Sequence, residues 1–362
     1  MAVTLADVAA RARVSPATVS RVLSGKYPVA EPTRARVLRA VDELEYVANG
    51  PASALAAATS DLVGIVVADI ADPFFGILAG AVQSEISAAG RAGGAGEKLP
   101  VVCSTGGRTE RELTCLTLLQ RQRAAAVVVA GGGAERPEDA AAVAAKLARL
   151  AASGTRVVLC GRPPVADAVT LAFDHRGGAR RLTEHLLSLG HRRFGYVAGP
   201  PGRTTTGDRL AGHRAALAAA GVGHSARLVL HGPYDRASGY AATVELLRRD
   251  PGLTAVVAAN DTVALGVCAA LRDQGRRVPG DVSVAGFDDL PFSRDAAPAL
   301  TTVRLPLREA GARAGRLALG REERPPGGVA TVRGELVARA STAPPRPQGG
   351  DADRANRLTP IT

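Results

Sequence analysis

Tryptophan is absent from this sequence, and aromatic residues make up only 3% of its 362 positions. Hydrophobic residues still reach 46%, so any core must be built mainly from alanine, valine and leucine. Cysteine is scarce. Cys103, Cys115, Cys160 and Cys268 show neither a CxxC pair nor zinc-ligand spacing. They read as reduced, mostly buried thiols rather than a disulfide framework or metal site. No charged segment precedes an apolar core at the N-terminus, where Asp7 and Arg11 interrupt. No signal peptide is therefore expected, and the chain reads as cytoplasmic. The most apolar stretch, "LVGIVVADIADPFFGILAGAV", is broken by Asp69, Asp72 and Pro73 and does not read as a membrane span. Motifs of the form GxxxxGK[ST], HExxH and GxSxG are missing. No catalytic constellation, metal or cofactor is expected. Lysine is nearly missing as well: Lys26, Lys98 and Lys146 are the only ones among 45 basic residues. An arginine skew of that kind more often reflects codon usage than a binding surface. The net charge of +11 therefore says less than its placement. Residues 1–40 carry seven basic and two acidic side chains, a local density that suits nucleic acid.

The length suits two or three domains. Residues 4–46 read as three short helices. Thr4 can cap the first, with Leu5, Val8, Ala9 and Ala12 inward. Ser15 caps the second, and Pro16 takes the first helical position, where a missing N–H costs nothing. Val19, Val22 and Leu23 then point inward. Thr33 is expected to cap the third, with Val37, Val41 and Leu44 inward. Residues 49–60 read as a linker or short helix. From residue 61 the texture changes. "LVGIVVADI", "LPVVCST", "AAAVVVAGGG", "GTRVVLCGR", "RRFGYVAGP", "LTAVVAAND" and "VSVAGFDD" read as buried parallel strands alternating with helices. The expectation is doubly wound α/β architecture in two subdomains: 61–188 with 301–325, and 189–300 with 326–342. "SAAGRAGGAGEKLP" reads as a surface loop, and residues 343–362 as a disordered tail.

The stretch "VSPATVSRVLSG" raises the functional question. Two helices joined by "RARVS", the second exposing Thr18, Ser20 and Arg21, form a helix-turn-helix pattern. Its outer face is short and polar enough to enter a major groove, while hydroxyls and the helix N-terminus suit phosphates. The same pattern also fits a three-helix protein–protein module.

"TLADVAARARVSPATVSRVLSG…VAEPTRARVLRAVDELEYVANG" resembles the N-terminus of the lactose-repressor/galactose-repressor family of bacterial transcription regulators. "DIADPFFG", "HLLSLGHRRFGYVAGP", "DRLAGHRAAL", "AVVAANDTVALGV", "VSVAGFDDLPFS" and "PALTTVRLP" follow in the family's order and spacing, through about residue 342. The resemblance implies a homodimer on pseudo-palindromic operator DNA, an N-terminal all-α helix-turn-helix module (1–48), a hinge (49–60) and a periplasmic-binding-protein-like sensor for a small effector. By resemblance, Pro16 and Ala17 set base choice, Arg21 reads a base edge, and Ser15, Thr18, Ser20 and Thr33 meet phosphates or bases. Leu5 and Pro28 lie at the edge of that surface. In the hinge, Leu55 matches a minor-groove wedge and Ala52 a small residue facing the partner helix. Two positions depart from the family. Residues 47–60 hold none of its usual basic residues, and Arg13 stands where its turn usually has glycine. If left-handed, Arg13 costs about 1 kcal/mol.

Polar residues at strand ends that converge between subdomains mark a small-ligand cleft. Asp72 can cap a helix with Pro73 at its first position, followed by Phe74 and Phe75. By resemblance the effector meets Phe74, Phe75, Asp174, Arg203, Thr205, Arg209, Tyr234, Asn260 and Asp288. Arginine with aspartate and asparagine suits vicinal hydroxyls, and an aromatic ring suits a pyranose face, which favours a sugar. Arg203 and Thr205 also match positions used by purine-sensing members, so a nucleoside stays open. A sugar-binding protein or an enzyme without DNA function is the other class that this α/β body allows. Asp261 and Asp289 are expected to be caps, and His185, His191, His213 and His224 to be solvated.

Overall fold

A computed structural model of the chain describes residues 3–24, 27–46, 60–91 and 98–346. The chain divides into two units, residues 1–60 and 61–362.

In the first unit, α1 (Leu5–Ala12), α2 (Pro16–Ser24) and α3 (Glu31–Glu43) enclose a core of Val8, Ala9, Ala12, Val19, Val37 and Ala40. Thr4 and Asp7 form a capping box at α1. The Ser15 hydroxyl accepts from the Thr18 amide at 3.2 Å and lies 2.9 Å from the Thr18 hydroxyl, closing the N-terminus of α2 as its sequence predicts. Arg13 is left-handed, with φ 54° and ψ 50°. Its amide donates to Ala10, and the next amide reaches back to Ala9, so the turn ends α1 in a tight C-terminal cap. Thr33 does not cap α3. The helix starts two residues earlier, from Ala30 without a side-chain cap, because Pro32 is preset for a first turn and carries Thr33 inside it.

The second unit carries two parallel sheets. The larger has six strands in the order β11-β5-β4-β3-β1-β2, formed by β1 (Leu62–Val67), β2 (Leu99–Ser104), β3 (Ala126–Ala130), β4 (Arg156–Cys160), β5 (Val169–Phe173) and β11 (Val329–Val332). The smaller runs β7-β6-β8-β9, from β6 (Phe194–Ala198), β7 (Val229–His231), β8 (Ala255–Ala258) and β9 (Ser283–Ala285). β10 (Thr302–Arg304) and β12 (Glu335–Val337) pair antiparallel as a two-stranded sheet. Helices α4 (Pro73–Arg91), α5 (Thr109–Arg121), α6 (Pro137–Ala152), α7 (His175–Ser188), α8 (Thr204–Ala219), α9 (Arg236–Arg249), α10 (Asp261–Asp273), α11 (Phe292–Asp295) and α12 (Leu307–Leu319) link or cover the strands. All seven strands read from continuous apolar runs are present. The five that were not read, β5, β7, β10, β11 and β12, are short or carry polar residues.

Several boundaries differ from the sequence reading. Val329–Val332 pairs in parallel with β5, so part of 326–342 belongs to the larger sheet rather than to the smaller subdomain. α7 packs against α8, so 175–188 is a helix of the smaller sheet's layer. Gly212 permits the close approach: a Cβ there would strike the backbone carbonyl of Arg176. Residues 87–91, expected in a loop, extend α4. Residues 343–346 are anchored rather than free, since the Ala343 carbonyl faces His191 Nε2 at 2.9 Å and accepts from Ser283. Residues 347–362 lie outside the described residues. Cys160 is fully buried, whereas Cys103, Cys115 and Cys268 are half-buried free thiols.

His191 and His213 are buried, contrary to the solvated positions expected for them. His213 sits between α7 and α8, with Nδ1 2.9 Å from the Thr183 hydroxyl, which itself donates to the Ala179 carbonyl. The hydroxyl's one proton is thereby used, so His213 donates from Nδ1. Burial, aided by His224 and Arg214, lowers its pKa to about 3.

Two outcomes follow for stability. Arg13→Gly relieves the left-handed strain and should stabilise the first unit by about 1 kcal/mol, read as a rise in its thermal transition. His213 must stay neutral in the folded state while its unfolded pKa is ordinary. Its contribution is complete above about pH 6.5 and falls by up to about 1.4 kcal/mol per pH unit as acid is added toward pH 3. Urea titrations across that range should show a shallower slope for His213→Gln than for the parent. Equal slopes would remove His213 as the source.

Candidate functional site

On the helix-turn-helix unit, burial of Val19 turns the opposite face of α2 to solvent. Ser15, Pro16, Ala17, Ser20 and Arg21 are exposed there, with Thr18 half-buried. Pro28 is exposed in the following connection, Thr33 is half-buried in the first turn of α3, and Leu5 packs half-buried against the core. The sequence reading missed Tyr27. It is 63% exposed, and the Arg21 guanidinium lies 6.0 Å from its ring centroid. Its signal was a lone aromatic next to Lys26 in an aromatic-poor chain. Arg11 is ion-paired to Glu43, tying α1 to α3. Ala52 and Leu55 fall outside the described residues.

In the second unit a cavity of about 400 Å³ opens at the carboxyl ends of the parallel strands of both sheets. From the larger sheet, Ala68 follows β1, Gly106 follows β2, Gly131 follows β3, Gly161 follows β4, and Phe173 ends β5. From the smaller sheet, Pro200, Pro233, Asn260 and Asp288 follow β6, β7, β8 and β9. Phe74 and Phe75, at the start of α4, form an edge-to-face pair with centroids 5.0 Å apart, and Phe74 continues to Phe173 at 6.2 Å. Gly131, at φ 95°, leaves room for the Phe75 ring, which a Cβ would meet at 2.9 Å. One wall is thus apolar and aromatic, and the other is polar.

Arg209 organises the polar wall. It is 4% exposed, with its guanidinium carbon 3.9 Å from the centroid of Phe287. It donates to Asp288 at 2.7 Å, to the Ala259 carbonyl at 2.5 Å, and through Nε to His175 Nδ1 at 3.4 Å. Asp288 holds φ 108°, a left-handed geometry that the pair and the amide bond to Val303 sustain. Burial pushes the Asp288 carboxyl up, to about 8, against the pull of Arg209. Burial and Arg209 hold His175 well below the usual histidine range. His175 is therefore neutral. Its Nδ1 accepts from Arg209, so Nε2 carries the proton.

Eight of the nine residues singled out for the cleft line this cavity: Phe74, Phe75, Arg203, Thr205, Arg209, Tyr234, Asn260 and Asp288. Asp174 does not. It caps α7 by accepting from the Gly177 amide at 2.9 Å and pairs with Arg181. The first helical turn directs it away, and its neighbour His175 enters the cavity instead. His175 was missed because a lone histidine at a helix start carries no periodic signal. Asp69, Asp72 and Asp235 also line the cavity. Asp72 accepts from the Phe74 amide at 3.0 Å, as its place before Pro73 predicts. Asn260 caps α10 through its oxygen, accepting from Val263 at 2.9 Å, which leaves its amide nitrogen for a ligand. The Tyr234 hydroxyl lies 2.7 Å from that of Thr206.

Asp261 and Asp289 are not helix caps. Asp261 accepts from the Leu290 amide and the hydroxyls of Ser293 and Thr302, clamping three elements. Asp289 is an ion-pair hub for Arg304 and Arg339.

The loop after β3 meets the start of α8 across the cleft. Ala134 and Arg203 form an antiparallel bridge, with Glu135 N–H donating to Gly202 at 2.9 Å and Thr204 N–H to Gly133 at 3.1 Å. The Arg203 guanidinium donates to the Gly132 carbonyl. Behind that loop, Arg162 and Glu112 form a buried ion pair, and Arg162 also donates to Gly131.

Two family models match the chain: "Bacterial regulatory proteins, lacI family" over residues 4–49, and a periplasmic binding protein-like domain over residues 183–342. The chain is 37% identical over 318 residues to the HTH-type transcriptional regulator GalR of Escherichia coli K12, covering 87% of this chain and 88% of that protein. Among solved structures it is similar to the lac repressor dimer bound to operator and the anti-inducer ONPF, with TM-score 0.74 and 30% identity over 95% of this chain and 100% of that one. It is also similar to a complex of the transcriptional regulator CelR with cellobiose, with TM-score 0.65 and 32% identity over 94% of this chain and 99% of that one. No helix among the described residues is long and apolar enough to cross a membrane. With a capped helix-turn-helix in one unit, a cleft at the strand ends of the other, and relatives aligned across both, the chain belongs to the LacI family of bacterial regulatory proteins.

Proposed function

We propose that the chain is a transcriptional repressor that binds a pseudo-palindromic operator as a homodimer and releases it when a sugar enters the sensor cleft. The observation that carries this is the pairing, in one chain, of an exposed polar recognition helix with a 400 Å³ cavity built from both sheets. On the DNA side, Arg21 reads a base edge, Ser15, Thr18, Ser20 and Thr33 meet phosphates or bases, and Pro16 and Ala17 shape base choice through methyl contacts. Leu5 and Pro28 flank that surface, and Leu55 and Ala52 serve the minor groove and the partner hinge. A single helix-turn-helix offers too little surface for tight binding, so two must act together.

On the sensor side, Phe74, Phe75 and Tyr234 offer apolar faces to a sugar ring, while Asn260, Thr205, His175 and the Arg209–Asp288 pair offer directional bonds to hydroxyls. This resembles the chemistry of a binder rather than a catalyst, because the buried acid and cation are already joined to each other. Closure acts across the bridge at Ala134 and Arg203, which joins the two sides of the cleft. The Arg203 head is occupied by backbone carbonyls, which favours a sugar over a purine.

Arg21→Ala should weaken specific operator binding by about 1–3 kcal/mol in a fluorescence-anisotropy titration, without changing a sugar-induced thermal shift. Asp288→Asn should do the reverse, abolishing the effector response while operator affinity stays. Asparagine is the better probe than alanine, since stripping the carboxylate side chain leaves Arg209 buried alone, a loss of about 3–5 kcal/mol. If Asp288→Asn responds to effector like the parent, the cavity is not the sensor site.

A further inference from the structure

The cavity holds more carboxylate than cation. Asp69, Asp72, Asp235 and Asp288 line it, against Arg203 and Arg209. Both cations are committed. Arg209 is bound to Asp288, Ala259 and His175, and Arg203 to the Gly107 and Gly132 carbonyls. Asp288 and Asp72 share the field of that one guanidinium. Asp69 and Asp72 form no ion pair among the described residues. Each spends one bond on local backbone, Asp69 with the Ala71 amide and Asp72 with the Phe74 amide, and keeps further lone pairs. Desolvation and the neighbouring Asp69 raise the Asp72 carboxyl, as expected for an acid whose charge lacks a partner. Beside these acids stand the rings of Phe74 and Phe75. An aromatic face next to a carboxylate is a cation site in two independent respects, by Coulomb attraction and by the ring quadrupole.

We propose that the effector is a cationic polyol, an amino sugar or amino-cyclitol whose ammonium group is held by Asp72 and Asp69 against the Phe75 ring. The hydrogen-bond inventory agrees. The cavity's unused groups are mostly acceptors, and an ammonium brings three donors where a hydroxyl brings one. A neutral sugar satisfies the hydroxyl-binding groups but leaves the acid pair without a counter-charge. An acetylated amine loses the charge and adds bulk at the same place. This rests on the cleft being the effector site.

The test is isothermal titration calorimetry on the full chain at pH 6.5, with D-glucosamine against D-glucose and N-acetyl-D-glucosamine. The β-1,4-linked glucosamine dimer is run in parallel against cellobiose. At least one amine should bind about tenfold or more tighter than its neutral counterpart, the typical worth of a charge-assisted bond. That margin should vanish in Asp72→Asn, which can still accept from the Phe74 amide and so keeps the helix start, while neutral sugars bind it as they bind the parent. Amines that bind no better than neutral sugars overturn the proposal and leave the sugar sensor standing. A preference that survives in both Asp72→Asn and Asp69→Asn also overturns it. Binding by none of the five ligands overturns both.

Discussion

The sensor is organised around one buried guanidinium. Arg209 is stacked on Phe287 and bonded to Asp288, Ala259 and His175. These partners come from the end of β8, the segment after β9 and the first turn of α7. A single planar cation therefore sets the mutual positions of three carboxyl-end segments and the helix that carries it. The arrangement holds because each charge is answered. Removing either member leaves the other buried without a partner, which costs more than the pair contributes. The left-handed backbone at Asp288 is the local strain this arrangement sustains.

Parallel sheets make such a site possible. Their strand ends all open on the same side, so the loops that follow converge without long excursions. In this chain the loops from both sheets are short and rich in glycine, proline and polar caps. Several cleft residues thus do double duty. Asp72 and Asn260 cap helices while facing the cavity, and Gly131 makes room for Phe75. The antiparallel bridge between Ala134 and Arg203 ties one lip to the other through backbone bonds. It is backed by the buried Arg162–Glu112 pair behind the Gly131–Gly132 carbonyls. A ligand that changes the cleft width must act on that bridge.

The helix-turn-helix unit follows a different economy. Its core consists of six small apolar side chains, so local devices carry a larger share of its structure: the Thr4–Asp7 box, the Ser15 cap and the left-handed Arg13 turn. Because the inward positions of α2 are occupied by valines and a leucine, its opposite face is left to polar and small residues. The exposed Tyr27 and Arg21 stand together at the C-terminal side of that face.

The sequence by itself determined what local chemistry controls. Continuous β-branched runs specified seven buried strands, Thr4 and Ser15 marked two helix starts, and the order of motifs brought eight of nine cleft residues to one cavity. It misplaced what depends on partners distant in the chain. β11 is a short, half-exposed segment, and only pairing with β5 makes it a strand of the larger sheet. Asp174 and His175 are adjacent, and the first turn of α7 decides which of them faces the ligand. His213 looked solvated in an arginine- and alanine-rich helix, and the packing of α7 on α8 buried it. Composition near zero charge at the cleft was also misjudged, because Asp69, Asp72 and Asp235 become neighbours only when strand ends from both sheets meet. Periodicity and capping are properties of a few consecutive residues. Burial, charge balance and sheet membership are properties of space, and they are settled only when the chain has folded.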